Sequence, residues 1–458
     1  MLDSSTTRGS HLTWGQADAV ELARKYGTPL YVMDEAHIQD RIARYVEAGR
    51  KHYGDLKIAY AGKAFLCGAM IKKIKDNGLW MDVASGGEMD LALRAGFPPE
   101  RLIFHGNNKT TPELEQGLSA GVGRFVIDNM EELDRLSHLA GRAGVRPRIK
   151  VRVTPGVSPS THRQIQTGQV DSKFGLLMDD GSALKAAREA ISASSVEMMG
   201  IHCHIGSQIS ETAPFREAAR AMARLAWDIY HETGFLCPEV NLGGGWAVQF
   251  LPDEHVPPLE EYVAEIAGAF KEAWKDHGTP GTPLGRQDQP PAGESGRYEW
   301  PRLFLEPGRS LVSEGGITLY TVGAVKRVAD YDPYILIDGG MADNPRPALY
   351  GAQYHATLAN RAGEPPERQF RLAGNSCESD ILIRAVRLPE PRPGDILAVH
   401  STGAYNYSMA SNYNRFPRPP VVFVDKGKAH LAVRRETSGD MSACDLCLDT
   451  AGPNCNME

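Results

Sequence analysis

Short apolar runs alternate with amphipathic helical stretches through the first two thirds of the chain. The runs fall at 57–61, 80–84, 102–105, 124–128, 148–153, 198–204, 239–242 and 302–305. Each has strand length and ends on polar or glycine-bearing residues. Between them, apolar positions recur at helical spacing, as at 112–120, 130–143, 181–193, 214–233 and 259–277. Eight strand–helix alternations predict a (β/α)8 barrel of the TIM type. An open, doubly wound sheet would show the same periodicity. The strand endings favour the barrel, because a barrel gathers reactive groups at the carboxyl ends of its strands. Those endings read Lys63, Asp82 with Ser85, His105 with Asn107, Asp128, Arg152, His204 with Ser207, Gly243-Gly244-Gly245, and Glu306 with Arg309.

The pattern differs on either side of this rhythm. Residues 17–26 read as a helix, 28–33 as a strand and 36–48 as a second helix. After Arg309, strand-like runs at 317–328, 334–337, 370–373, 381–388, 396–399, 421–424 and 430–433 follow without long helices. They predict an antiparallel β domain, which the strand near residue 30 would rejoin. The expected division is 1–34 as an N-terminal segment of the β domain, 35–312 as the barrel, 313–436 as the β domain and 437–458 as an irregular tail. The stretch 279–297, rich in Pro and Gly, reads as a surface excursion before the eighth strand, with a substrate lid as the alternative.

Composition narrows the function class. A chain of 458 residues suits two domains. A net charge of −7 argues against nucleic acid or an anionic membrane as partner. No apolar run approaches the ~20 residues of a membrane span. The first residues are polar and lack an apolar signal core, and seven cysteines are scattered, so the expected compartment is the cytoplasm. Cys444, Cys447 and Cys455 form a CxxC plus one in the tail, without an evident fourth ligand, and no metal is expected there.

A lysine ending an apolar strand is costly unless paired or neutralised, so Lys63 is either an ion-pair partner or a working amine. Gly243-Gly244-Gly245 lets backbone N–H groups approach an anion, though a tight turn explains it as well. Glu306-Pro307-Gly308-Arg309 follows the next strand, and the loops after strands seven and eight are a recurrent phosphate site in barrels. An amine, a phosphate cradle and a strand-end carboxylate together suggest pyridoxal phosphate. Lys63 would hold its aldehyde as a Schiff base. Glu306 would keep the pyridine nitrogen protonated so that the ring draws electrons. His204 is placed to pack on the ring, whereas His202 reads as a core histidine bonded to backbone. Arg346 reads as a carboxylate clamp or a surface arginine. Cys377 is a proton donor, a nucleophile or inert. Tyr405 is a loop residue of undecided role.

These motifs resemble the diaminopimelate decarboxylases, within the alanine-racemase-like and ornithine-decarboxylase-like group of pyridoxal phosphate enzymes. The resemblance runs through YAGKAF around Lys63, DVASGGE from Asp82, FHGNNK from Phe104, TGQVDSKFG ending at Gly175 and HCHIGSQI from His202. It continues through LGGGW from Leu242, EPGRSLV from Glu306, DGGMADNPRPALYGA from Asp338, CESD from Cys377 and TGAYNYSMASNYN from Thr402. It implies a (β/α)8 barrel with a β-barrel domain, and a homodimer with active sites at the interface. It further implies loss of carbon dioxide from meso-2,6-diaminopimelate to give L-lysine.

By resemblance, Lys63 is the Schiff-base lysine and His204 stacks on the cofactor. Ser207, Gly245, Gly308 and Arg309 hold its phosphate, and Glu306 partners the pyridinium. Arg309, Arg346 and Tyr350 hold the far end of the substrate. Cys377 and Glu378 reach across the dimer, Cys377 as proton donor and Glu378 toward the substrate. Tyr405 touches cofactor and substrate, and Lys173 matches an interface lysine of the wider group. One departure stands out. The loop reads Cys377-Glu378-Ser379-Asp380, one residue short of the family's Cys-Glu-Ser-Gly-Asp. The competing readings are a decarboxylase of lysine, ornithine or carboxynorspermidine, a racemase, and a cofactor-binding protein without turnover.

Overall fold

The computed structural model describes residues 5–157, 171–276 and 300–446. Contacts divide the chain into two compact units. One comprises Met1–Arg41, Gln249–Glu254 and Leu311–Glu458, and the other Ile42–Val248 and His255–Ser310.

The second unit holds eight parallel strands: Leu56–Ala61, Trp80–Val83, Leu102–Phe104, Arg124–Ile127, Arg148–Thr154, Glu197–His202, Glu239–Asn241 and Arg302–Leu305. Each pairs with the next, and the eighth returns to the first through Leu303↔Leu56, Phe304↔Lys57 and Leu305↔Ile58. That closure makes the sheet a barrel and excludes the open alternative. Helices follow the strands, and their caps fix where each chain turn ends. Thr110 and Glu113 form a capping box on Thr111–Ala120, which stops at left-handed Gly121. Asn129 caps Met130–Ala143, which stops at left-handed Gly144.

Inside the barrel, Ala59, Ile103, Val126 and Phe304 form an apolar plug against Trp80. Near the amino ends of the strands lies a charged cluster. Glu239 is paired with Arg124 at 2.6 Å and with Lys150 at 3.1 Å, all three buried. The Lys150 ammonium also sits 3.6 Å from the Phe304 ring centre. These charges are matched within the chain. They lie at the end of the barrel opposite the rim where reactive groups collect.

The first unit is built on a nine-stranded sheet. Its main path runs Ile381–Leu388, Arg368–Ala373, Tyr334–Ile337, Gly316–Lys326, Leu30–Asp34, Val421–Asp425 and Lys428–Val433. The early strand does join it, with Leu30–Asp34 antiparallel to Gly316–Lys326. The expectation of a wholly antiparallel sheet is corrected. Leu30–Asp34 runs parallel to Val421–Asp425, and Tyr334–Ile337 parallel to Arg368–Ala373. Both pairs join segments distant in sequence, where no short hairpin dictates an antiparallel return.

A three-stranded antiparallel sheet of Ser5–Arg8, His11–Trp14 and Ala17–Asp18 precedes the helix Ala19–Tyr26, which Asp18 caps. Trp14 and Leu12 enter the same core as Leu30, Val32, Ile317 and Leu319. The tail, expected to be irregular, carries a short helix at Ser438–Ser442 capped by Thr437. The stretch 279–297, Cys447 and Cys455 lie outside the described residues. Among the described residues, no helix is long and apolar enough to cross a membrane.

Candidate active site

The first barrel strand ends in a single helical turn, Gly62–Ala64, that carries Lys63 at the surface. This corrects the image of a lysine buried at a strand end. The strand itself is buried, but the turn lifts the amine off it. A side chain at Gly62 would come within 2.8 Å of the Asp82 carbonyl, so the turn needs glycine to pass the neighbouring strand end. The Lys63 charge acts on Asp82, Glu88 and His204. Asp82 is buried, and its Oδ1 has no partner among the described residues. Burial pushes its carboxyl up to about 6, Glu306 adding to the rise while His105 and Lys63 oppose it.

Glu306 follows the eighth strand and is 5% exposed. Its Oε1 accepts from Asn241 Nδ2 at 2.7 Å and from His105 Nε2 at 3.0 Å, and its Oε2 from His202 Nε2 at 3.3 Å. Burial favours the protonated acid, but the two imidazoles outweigh it and hold the carboxyl well below the usual range. Burial pushes His202 down to about 3, so that ring is neutral near pH 7. Glu306 is therefore an ionised carboxylate held by one amide and two imidazoles. His202 is the core residue expected, but it bonds Glu306 rather than backbone. Asn241 had no assigned role in the sequence. Its one signal there is an amide inside a short apolar strand.

The three glycines after strand seven thread between other strand ends. A Cβ on Gly243 would lie 2.5 Å from the Cys203 carbonyl, on Gly244 2.0 Å from the Glu306 carbonyl, and on Gly245 2.0 Å from the Gly206 carbonyl. Gly243 and Gly245 also hold φ of +66° and +115°, where other residues are strained. Backbone bonds lock this crossing: Glu306 N–H donates to the Gly243 carbonyl at 2.7 Å and Ile209 N–H to the Gly245 carbonyl at 3.1 Å. His204 Nδ1 accepts from the Gly244 N–H at 3.4 Å. Burial and the nearby Lys63 charge hold the His204 ring well below the usual histidine range, leaving it neutral.

On the eighth strand's loop, Gly308 packs with 3.0 Å between an added Cβ and those of Ala61 and Ala64. The Ala61 N–H donates to the Pro307 carbonyl at 3.1 Å, tying this loop to the turn that carries Lys63. Arg309 Nη2 donates to Ser207 Oγ at 3.1 Å. The barrel thus collects Lys63, His204, Ser207, Gly245, Glu306, Gly308 and Arg309 at one rim. The donor set suits pyridoxal phosphate. It offers an amine for an aldehyde, an ionised carboxylate for a ring nitrogen, and a hydroxyl, a guanidinium and close-packed glycine backbone for a phosphate.

The other unit carries the remaining candidates. Arg346 opens the short helix Arg346–Tyr350 and is 4% exposed. Its Nη1 donates to the Tyr354 hydroxyl at 3.0 Å, and its guanidinium lies 5.4 Å from the Phe250 ring centre and 6.0 Å from that of Tyr405. Burial excludes the surface-arginine reading. Tyr350 and Tyr405 are half-buried, Tyr405 at φ +61°. Cys377 and Glu378 are exposed on a loop held from two directions. Asn414 Oδ1 accepts from the Cys377 N–H at 3.1 Å, and Tyr413 donates its hydroxyl to Glu378 at 2.7 Å. Asp380 accepts from the Met341 and Ser376 amides at 2.7 and 3.1 Å and from the Ser376 hydroxyl. At φ +44° it completes the shortened loop. Lys173 is exposed, its ammonium 4.9 Å from the Phe174 ring centre.

Residues 39–283 match the family described as pyridoxal-dependent decarboxylase, pyridoxal binding domain. The chain is 43% identical to the diaminopimelate decarboxylase of Bacillus subtilis (strain 168) over 448 residues, 98% of each chain. It is 40% identical to that of Mycobacterium tuberculosis (strain H37Rv) over 439 residues, 93% of each. The crystal structure of diaminopimelate decarboxylase from M. jannaschii in co-complex with L-lysine superposes with a TM-score of 0.85 at 34% identity, covering 97% of this chain and 98% of that one. On these likenesses, spread over nearly its whole length, the chain belongs to the diaminopimelate decarboxylases, a family of pyridoxal-dependent enzymes.

Proposed function

We propose that this chain removes the carboxylate from one end of meso-2,6-diaminopimelate, releasing carbon dioxide and L-lysine. The observation that carries the reading is Glu306. It is a buried, ionised carboxylate with three N–H donors and, among the described residues, no lysine or arginine within ion-pair distance. Such a charge suits a cationic ring nitrogen. When bound, pyridoxal phosphate supplies an electron sink for the charge left as carbon dioxide departs.

Each residue then has a task that its environment supports. Lys63 presents a surface amine that would hold the cofactor's aldehyde. Asp82, with its carboxyl near 6, takes or returns a proton beside that amine. Glu306 would keep a proton on the cofactor's ring nitrogen. His204, neutral and flat, would pack on the ring face. Ser207, Gly245, Gly308 and Arg309 would hold the phosphate.

Arg346 is a buried cation with no carboxylate of the described residues within ion-pair distance. Leaving it unmatched is costly, and a second carboxylate on the substrate would match it. Tyr350, Tyr405 and Arg309 help hold that far end. This favours diaminopimelate over lysine or ornithine, whose distal ends carry only an amine. The M. jannaschii relative is described with L-lysine bound, the product this reading requires. Cys377, on its anchored surface loop, protonates the reacting carbon in a second copy of the chain, with Glu378 facing the substrate. The working form is a cytoplasmic homodimer.

Incubating the protein with meso-diaminopimelate and pyridoxal phosphate should give lysine and carbon dioxide in equal amounts, and no gas from lysine or ornithine. Lys63→Ala should abolish both the cofactor's visible absorbance and the gas. Absorbance without lysine would reduce the chain to a cofactor-binding protein, and altered optical rotation without gas would make it a racemase.

A further inference from the structure

Tyr354 is buried to 1% exposure four residues beyond the helix Arg346–Tyr350. Its ring stands edge-on to Phe250, with centres 5.3 Å apart and planes at 82°. A tyrosine wedged in this way has little freedom at its two side-chain torsions, so its oxygen is a fixed point. That oxygen accepts from Arg346 Nη1 at 3.0 Å. The Asn406 amide lies 3.5 Å from that hydroxyl, at the long limit of a hydrogen bond, and leaves its acceptor side to Arg346. Phe250 and Tyr405 flank the guanidinium at 5.4 and 6.0 Å.

Arg346 is thus held by one neutral oxygen and two rings. A carboxylate in the place of Tyr354 would hold the guanidinium equally well but would also neutralise it. A hydroxyl orients the group and leaves its charge unspent. A guanidinium has five N–H donors in a planar fork. Fixing one of them at Nη1 fixes the plane, and with it the direction in which the remaining edge points.

We propose that Tyr354 is a positioning residue that aims the free edge of Arg346, so that it makes two parallel bonds to a carboxylate. It thereby sets the preference for diamines that carry a distal carboxylate. The proposal rests on reading Arg346 as the clamp for the substrate's second carboxylate. A point charge would attract any anion. An aimed fork rewards a planar carboxylate in one place, which turns charge attraction into selectivity.

The test is Tyr354→Phe, which removes one oxygen and keeps the ring. The holoenzyme is assayed with meso-diaminopimelate, and two inhibitors are compared. L-Lysine keeps the distal carboxylate, and pentane-1,5-diamine has the same chain without it. The inhibition constant for lysine should rise about tenfold, the usual scale for losing a hydrogen bond to a charged group, while that for the diamine stays within about twofold. KM should rise with lysine's constant, and kcat should stay within about threefold. Arg346→Lys should erase the same discrimination, and the double variant should lose no more. Equal weakening toward both inhibitors, as general loosening would give, overturns the proposal, and so does no change. A wild-type enzyme that holds lysine no better than the diamine refutes the clamp reading of Arg346 itself, and the proposal with it.

Discussion

Glu306→Gln separates function from folding. The carboxylate lost in this variant is solvated by Asn241, His105 and His202 at 2.7, 3.0 and 3.3 Å. Taking a carboxylate out of water costs several kcal/mol. Three hydrogen bonds to a charged acceptor return roughly 5–9 kcal/mol, so the two effects nearly balance. A glutamine keeps one oxygen for Asn241 and His105, and turns an NH2 toward His202. That imidazole can meet it by moving its proton to Nδ1, an atom with no partner among the described residues. Nδ1 is without a partner in either tautomer, as a lone pair before and as an N–H after, and the variant should fold with a stability change within about 1 kcal/mol. Activity should fall steeply. An ion pair at about 3 Å with an effective dielectric near 20 is worth about 5 kcal/mol before desolvation. Keeping half of that gives about a hundredfold loss in kcat. Urea unfolding of the apoprotein and steady-state release of carbon dioxide measure the two effects. A stability loss above about 2 kcal/mol, or an undiminished kcat, would refute the reasoning.

Glu239→Gln should do the reverse, costing stability through the buried Arg124 and Lys150 it leaves unmatched. The Glu239 carboxyl is held down at about 2 against an ordinary 4.5, which corresponds to about 3 kcal/mol at pH 7. Because the folded value is the lower one, that stabilisation is complete above 4.5 and is lost as pH falls toward 2. The gap between wild type and variant in urea should therefore narrow over that window, and a constant gap would count against it. Gly245→Ala places a Cβ 2.0 Å from the Gly206 carbonyl, so cofactor affinity should fall at least about tenfold in an absorbance titration. Gly141→Ala, in open space on a helix, should leave that affinity unchanged and serves as the control.

The barrel was legible because parallel strands buried on both faces are continuous apolar runs, and turns interrupt them visibly. Helix 130–143 was placed to the residue because Asn129 and Gly144 mark its ends. What failed depended on distant pairing. Nothing near Tyr334 or Leu30 shows that its partner strand will lie parallel to it. His11–Trp14 was missed because a short run with only two large apolar residues gives little periodicity. In the site, Lys63 and Glu306 stood out because a charge beside an apolar run demands an explanation. Asn241 carries no charge and raised no such demand. The bond from His202 to Glu306 was invisible because it joins the ends of strands six and eight, which are distant in sequence and separated in the sheet by strand seven.

Two buried glutamates of the barrel unit, Glu239 and Glu306, follow different rules, and the contrast is an argument for a ligand. Glu239 is matched by Arg124 and Lys150, so the chain completes that ion set alone. Glu306 meets an amide and two imidazoles at bonding distance and, among the described residues, no lysine or arginine at ion-pair distance, although the same fold shows it can bury cations. A group chosen for stability alone would be matched or replaced by an apolar side chain. Glu306 is instead kept ionised at the barrel rim with, among the described residues, no lysine or arginine at ion-pair distance. The free energy withheld there returns only when a cation arrives, so a ligand bearing one must stabilise the fold. In the other unit Arg346 is the mirror case, a buried cation oriented by a neutral hydroxyl. On the reading proposed above, Glu306 would face a ring nitrogen that carries a proton and Arg346 a substrate end that carries a carboxylate. Heating the protein with and without pyridoxal phosphate tests the first of these directly. A melting temperature that ignores the cofactor in wild type would show that the Glu306 charge is held for some other reason.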